Sequence, residues 1–504
     1  MSGSWNGGYV TDTGYLPGWY GQQSPMHMAM TCLLMGVACD LPDADAPLHY
    51  LELGCGLGFG ALVLAAGNPS WGVTGIDFNP AHIALARSVA RDAGLTNVTF
   101  LEADLATLHG QEGGRQLPQA DFVSLHGLWS WVSAEVRSGI VRLLAAKVAA
   151  GGVVHVSYNA LPAWQGGIGM QKLMRLSSED PRATSHRRVQ RGVSLVQALA
   201  AAGAPHLNSP GLGQQIVQRL PELPAAYLAH EYLNDAWSPC FHADVAEAMA
   251  GAKLDYAGSA SLTENFAALM LTDEQRALHD AQDDPRLREL IKDLCLPRGL
   301  RHDVFVRGSQ VLRPAVRTEA LKNIVLALTT PPDSVAYEFE VASGVASISP
   351  GHYGPMIAAM ARQPCSVGDL MSLSPAGHAN DDPREVIGIL AGAGYAVPVA
   401  RPGAPPHPSA VRFNRVAAEW LAEPAMLTRP AAVASFALGG GFPATVIDLF
   451  VLDRLRAGET AAQAPDWVAA LAPGADPEAK ASLRDGLIRC MEQRIPLMRA
   501  AGAG

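Results

Sequence analysis

Hydrophobic positions in the first third of the chain gather into short continuous runs, and each run stops at glycine or an acid. Residues 48–53 are mostly apolar, end in the glycines of Gly54, Gly56 and Gly58, and pass into a second apolar run at 61–66. A short apolar run, a glycine turn and another apolar run predict a buried parallel strand, a tight turn and a helix. Residues 71–76, 97–101, 120–125 and 152–156 repeat the strand pattern, and helical periodicity fills 80–93 and 133–150. This alternation predicts an α/β fold built on a Rossmann-like sheet.

The pattern then breaks. Residues 165–240 read as helices with loops at 177–185 and 203–213, an inserted lid. Helix 244–252 and strands 254–259 and 302–307, with helical material over 263–296, then complete a seven-stranded core. Beyond residue 312 the strands at 334–341 and 345–349 and the helices at 353–362, 367–373 and 383–393 suggest a winged-helix-like module. A proline-rich linker at 401–408 leads to helices at 411–421, 432–456 and 480–498. At the other end, the aromatic stretch with Tyr9, Tyr15, Trp19 and Tyr20 precedes a helix opened by Ser24 and Pro25 and running to about residue 38. Its methionines suit irregular packing. The expected division is therefore 1–46, a loop and helix over the ligand site; 47–164, the core; 165–240, the insertion; 241–311, completion of the sheet; 312–400, the winged module; and 401–504, a helical domain. The linker into the core is 43–47.

Composition narrows the function. A chain of 504 residues with 49% hydrophobic side chains can fill several cores. Its net charge of −10 and the lack of a long basic block argue against a nucleic-acid partner. Seven scattered cysteines suit a reducing, cytoplasmic setting. No signal peptide is read at the start, and the long uncharged runs at 53–76 and 430–447 are broken by Gly or Pro, so no membrane span is expected. Composition leaves the oligomeric state open.

Candidate chemistry lies at the strand ends. Asp77 closes the second strand about twenty residues beyond the glycine turn, where open α/β sheets bind ligands and an acid can accept from a ribose. A dinucleotide site wants G-x-G-x-x-G with its pyrophosphate on the helix N-terminus. Here the third glycine comes one residue early and Glu52 precedes the first by two, so a pyrophosphate is disfavoured. Asp104, past the third strand, can accept from an adenine amino group. Glycine turn, ribose acid and adenine acid on successive strands resemble the class I S-adenosylmethionine-dependent methyltransferases.

Longer motifs narrow the resemblance. Asp121-Phe-Val-Ser-Leu-His-Gly-Leu-Trp-Ser-Trp-Val132, Val156-Ser-Tyr-Asn-Ala-Leu-Pro-Ala-Trp164, His230-Glu-Tyr-Leu-Asn234 and Asp303-Val-Phe-Val-Arg-Gly308 are similar to bacterial methyltransferases with a methyltransferase regulatory domain. That family includes the rickettsial outer-membrane-protein lysine methyltransferases. The resemblance covers most of the chain and implies S-adenosyl-L-methionine as cofactor and lysine side chains of a protein as acceptor. The cofactor pocket is expected to comprise Glu52, Gly54, Gly56, Gly58, Asp77, Phe78, Asp104, Leu105 and His126. Two positions depart from the family: Ala163 stands where it has Gly, and Trp129 where it has Tyr.

Methyl transfer from a sulfonium is an in-line displacement, so donor and acceptor must be aligned and the migrating positive charge stabilised. Aromatic faces exclude water and attract cations. Trp129, Trp131, Tyr158 and Trp164 are therefore candidate acceptor-site residues, with core packing the competing role for each ring. Asn159 can direct an acceptor nitrogen or simply hold a turn. His126 can meet the cofactor or serve as a structural hydrogen-bonding group. Glu231 can bind an ammonium or form a cap or salt bridge. Two other readings stay open at this point: a small-molecule or glycan methyltransferase, and a non-catalytic cofactor-sensing adaptor.

Overall fold

Seven strands make the central sheet: β1 (His49–Leu53), β2 (Gly72–Asp77), β3 (Val98–Glu102), β4 (Ala120–Leu125), β5 (Val148–Asn159), β6 (Leu254–Ser259) and β7 (Leu300–Arg307). Their order is 3-2-1-4-5-7-6. The first five run parallel, and β7 lies antiparallel between β5 and β6. Chain direction across the sheet reverses between β1 and β4, the switch point where a crevice opens at the carboxyl ends. The computed structural model describes residues 8–10, 17–42, 46–177, 183–341, 344–374 and 382–504. Tyr15, and the parts of the expected linker at 43–45 and loop at 178–182, lie outside the described residues.

Local chemistry explains the helices that frame the crevice. Helix α1 (Pro25–Met35) has proline in its first turn and ends at Gly36 with φ 77°. Its Met26, Met28 and Met30 are buried, in keeping with packing. Helix α2 (Phe59–Gly67) follows the glycine turn and is buried along its whole length. A helix apolar all round must be covered all round. One side packs on the sheet, and the other is covered by an antiparallel hairpin, Pro430–Ser435 with Gly440–Thr445. The approach is close enough that a Cβ on Gly67 would stand 2.9 Å from the Ser435 carbonyl oxygen. Helix α3 (Pro80–Asp92) is capped by Asn79, whose side chain accepts from the Ala81 N–H.

That hairpin corrects one expectation. Residues 432–456 were read as one helix, but only Val446–Arg456 is helical. Pro430, Pro443 and the glycines at 439–441 disfavour a helix, and the small apolar residues between them suit a buried two-stranded ribbon. Between β5 and β6 the insertion is helical, with Ile168–Leu176, Ser185–Ala201, Leu212–Arg219 and Ala225–Tyr232 around a separate apolar cluster. Farther along, Val325–Leu328 pairs antiparallel with Cys365–Ser366 and Ala396–Pro398. Beside this small sheet lie the hairpin Glu338–Val341 with Gly344–Ser347 and the helices Pro350–Met360, Val367–Ser372 and Pro383–Leu390. Among the described residues, no helix is long and apolar enough to cross a membrane.

Candidate active site

The crevice holds a cavity of about 590 Å³. Its floor is the turn from β1 into α2. Gly54, Gly56 and Gly58 have φ of 71°, 52° and 74°, a left-handed run that side chains resist. The N–H groups of Gly54 and Cys55 both donate to the Ile76 carbonyl, at 2.8 and 3.0 Å. Asp77 completes the clamp: Oδ2 accepts from the Gly56 N–H at 2.9 Å and Oδ1 from the Asn79 N–H at 2.9 Å. Each carboxylate oxygen has a second lone pair for a ligand hydroxyl. Asp104 behaves alike, with Oδ1 accepting from the Ala106 N–H at 2.8 Å.

Of the expected cofactor residues, Glu52, Gly54, Gly56, Asp77, Phe78, Asp104, Leu105 and His126 line the cavity. Gly58 does not. A Cβ there would stand 2.6 Å from the Phe100 ring, so this glycine serves the packing of the turn against β3. Glu52 sits almost buried at the foot of the cavity. Its Oε1 accepts from Gln23 Nε2 at 3.2 Å, while Oε2 is buried and makes no hydrogen bond among the described residues. Burial pushes this carboxyl up to about 7, against the pull of Gln23 and the Ala61 backbone.

The acceptor-side expectations divide. Trp131 lines the cavity. Trp129 does not: it is 3% exposed in the apolar core under β4 and β5, and its ring lies beneath the Arg137 guanidinium. Tyr158 is fully buried on β5, where its hydroxyl donates to Asp303. Burial alone would raise the Asp303 carboxyl, but Arg301 and His242 hold it far below the usual range, so Tyr158 belongs to a structural charge network. Trp164 donates from Nε1 to the Gly299 carbonyl at 2.7 Å and packs edge-on to Trp237, 5.3 Å between centroids. It anchors the insertion. These three rings are core: Tyr158 is turned inward on its strand, while Trp129 and Trp164 lie in short helical turns just past β4 and β5 and pack into the apolar clusters beside the sheet and in the insertion.

Asn159, the last residue of β5, takes a different position. Its Nδ2 donates to Glu231 Oε1 at 3.4 Å. Burial pushes Glu231 up to about 7, opposed by that hydrogen bond. Tyr9, Tyr20, Tyr227 and Tyr232 all have phenols raised first by burial and further by the Glu231 charge, with Asp77 the larger charge at Tyr9. Tyr9 and Tyr20 also line the cavity. The Tyr20 ring lies 3.8 Å from that of His126 between centroids, and Tyr9 meets Phe78 edge-on at 5.4 Å. The described neighbours of both rings are held in place. The Val10 N–H donates to Asn234 Oδ1 at 3.0 Å, and buried Trp19 packs on the C-terminal hairpin at Gly440 and Gly441. Neither tyrosine was singled out from sequence as a site residue. The one signal was the density of rings ahead of the first strand.

The donor set fits an adenosyl amino acid: acids at the ends of β2 and β3, a glycine cradle left-handed at Gly54 and Gly56, and an orphaned buried oxygen on Glu52. A sheet of this order with such a mouth defines an S-adenosylmethionine-dependent methyltransferase of the Rossmann-like type. The methyltransferase domain model matches residues 44–115, and the model described as a predicted methyltransferase regulatory domain matches 224–307. An uncharacterized protein of Synechocystis is 31% identical over 78% of this chain and 77% of its own. Another from Rickettsia prowazekii is 27% identical over 37% of this chain and 72% of its own. PKMT2 from Rickettsia typhi, solved in complex with AdoHcy, shares the fold over 97% of this chain and all of its own, with TM-score 0.72 and 16% identity. The chain belongs to the methyltransferases that carry the methyltransferase regulatory domain, and its cofactor is S-adenosyl-L-methionine.

Proposed function

We propose that this methyltransferase modifies lysine side chains of a protein substrate, in the cytoplasm. The observation that carries the reading is Glu231: a half-buried carboxyl, hydrogen-bonded to Asn159, whose charge raises the phenols of Tyr9, Tyr20, Tyr227 and Tyr232, the first two of which line the cofactor cavity. Tyrosine faces attract an ammonium and exclude water from it. Glu231, once ionised, accepts a hydrogen bond from the nitrogen and can take the proton that an ammonium must lose before its lone pair can attack. Asn159 holds that carboxylate in place.

On the donor side, Asp77 and Asp104 offer acceptors for ribose and adenine, and Glu52 for an ammonium group. The bound cofactor supplies an electrophilic methyl group on its sulfonium. Tyr20 and His126, whose rings lie 3.8 Å apart between centroids and both line the cavity, exclude water from the path of the methyl group. AdoHcy bound in the Rickettsia typhi relative is the demethylated form of this cofactor and supports the donor assignment. All seven cysteines are free, which suits a reducing compartment, and the charge of −10 favours a protein over a nucleic-acid acceptor.

The test is an assay of the purified chain with labelled cofactor on a lysine-rich protein, on the same protein with its lysines acetylated, and on small amines and hydroxyl compounds. Label on unblocked lysine alone is expected. Transfer to hydroxyl compounds, with none to protein, would replace this reading with a small-molecule activity.

A further inference from the structure

Behind the cavity wall, three histidines from three neighbouring strands meet: His126 just past β4, His155 on β5 and His302 on β7. Their ring centroids are 5.4, 5.5 and 6.1 Å apart and their planes lie within 18° of one another. This is nearly an equilateral triangle of parallel imidazoles, and one nitrogen from each ring lies within 4.8 Å of the others.

The surroundings resemble a ligand shell more than a packing accident. Ser124 Oγ stands 3.1 Å from Nδ1 of His155 and also accepts from Gln23 Nε2 at 3.2 Å. Ser157 Oγ stands 3.2 Å from Nδ1 of His126 and accepts from the Gly127 N–H at 2.8 Å. A hydroxyl that holds one ring nitrogen fixes the ring plane and selects the tautomer whose other nitrogen carries a free lone pair, as outer-shell partners of metal-bound histidines do. Nε2 of His155 meets Nδ1 of His302 at 3.1 Å. In the ion-free arrangement one proton sits between them; moving it to Nδ1 of His155, where Ser124 can accept it, frees both nitrogens with no net change in protons.

We propose that His126, His155 and His302 form a binding site for a divalent metal ion of the zinc class, with the fourth coordination position toward the cavity that His126 lines. Three neutral nitrogens and one open position suit zinc better than the oxygen-seeking magnesium or calcium. Adjacent to the mouth, such an ion would bind a basic or anionic group of the incoming acceptor. This inference stands apart from the lysine reading, since the site is defined without reference to the acceptor.

The test uses the full chain. After chelation, incubation with zinc and dialysis, elemental analysis should find one ion per chain, and cobalt(II) in its place should give the visible bands of a four-coordinate nitrogen site. His302→Gln should abolish retention. Ser124→Ala, a milder change that keeps all three rings, should weaken zinc affinity roughly 10–100-fold by calorimetry. Absence of retained ion in the wild-type chain overturns the proposal, as does retention that neither substitution alters in a chain whose circular dichroism is unchanged. Lysine methylation by a chain that retains no ion would leave the methyltransferase reading intact, since it is the missing ion that overturns this proposal.

Discussion

The two walls of the crevice are built in opposite ways. The donor wall comes from consecutive strands within residues 49–105, with Glu52 near the end of β1, Asp77 closing β2 and Asp104 two residues past β3. The wall proposed for the acceptor draws on Tyr9 and Tyr20 before the first strand, which line the cavity, and on Asn159 at the end of β5 and Glu231 deep in the insertion, which are hydrogen-bonded to each other outside that lining. A wall made of local turns constrains backbone conformation and leaves a short motif. A wall made of distant segments constrains only where side chains end up. The first can be carried unchanged onto many acceptors, while the second can be rebuilt without disturbing the sheet.

Substitutions can break or sharpen this contrast. The largest effect is expected at Glu231. Glu231→Gln should lower kcat by roughly 10²–10³-fold with cofactor affinity unchanged. Wild-type kcat at saturating cofactor should rise with pH through about 7, as Glu231 ionises, and that limb should vanish in the variant. The stability consequence has the opposite sign. In the fold this carboxyl stays protonated up to about 7, whereas in the unfolded chain it ionises near the ordinary value of 4.5, so its contribution is complete below that value and is lost as pH rises toward 7. Denaturant titrations across that interval should show a smaller decline for Glu231→Gln than for the wild type.

Next in size is Gly58→Ala, on the donor side. It combines a left-handed φ of 74° with a Cβ 2.6 Å from Phe100, and should cost about 2–4 kcal/mol in chemical denaturation. The smallest effect belongs to a ring once expected at the acceptor site. Trp164→Phe removes the Nε1–H bond to Gly299 and should cost about 1 kcal/mol while leaving kcat within a few-fold. A loss of turnover there without a loss of stability would return Trp164 to the active site.

What could be read from the chain follows the same division. The strands, the glycine turn, Asp77 and Asp104 were legible because run length, left-handed turns and strand-end acids are local signals. Trp129, Tyr158 and Trp164 misled because proximity in sequence to a strand end does not say which way a ring turns. Tyr20 was hidden for the converse reason. Its neighbour Trp19 is buried against the C-terminal hairpin while Tyr20 itself lines the cavity, a split that only the folded arrangement sets. The hairpin was missed because its small apolar residues carry no alternation, being buried between α2 and the C-terminal helices. His155 and His302 gave no signal, since they are far apart in sequence and meet only across the β5–β7 pairing.

The most direct test of the donor wall, on which all else here depends, is a calorimetric titration of S-adenosylmethionine into the wild-type chain and into Asp77→Ala. Loss of a carboxylate that holds the Gly56 N–H and offers the ribose an acceptor should weaken binding by roughly 100-fold, with one site per chain in the wild type. Equal affinity in both chains would contradict the assignment of the β1–β3 mouth as the cofactor site.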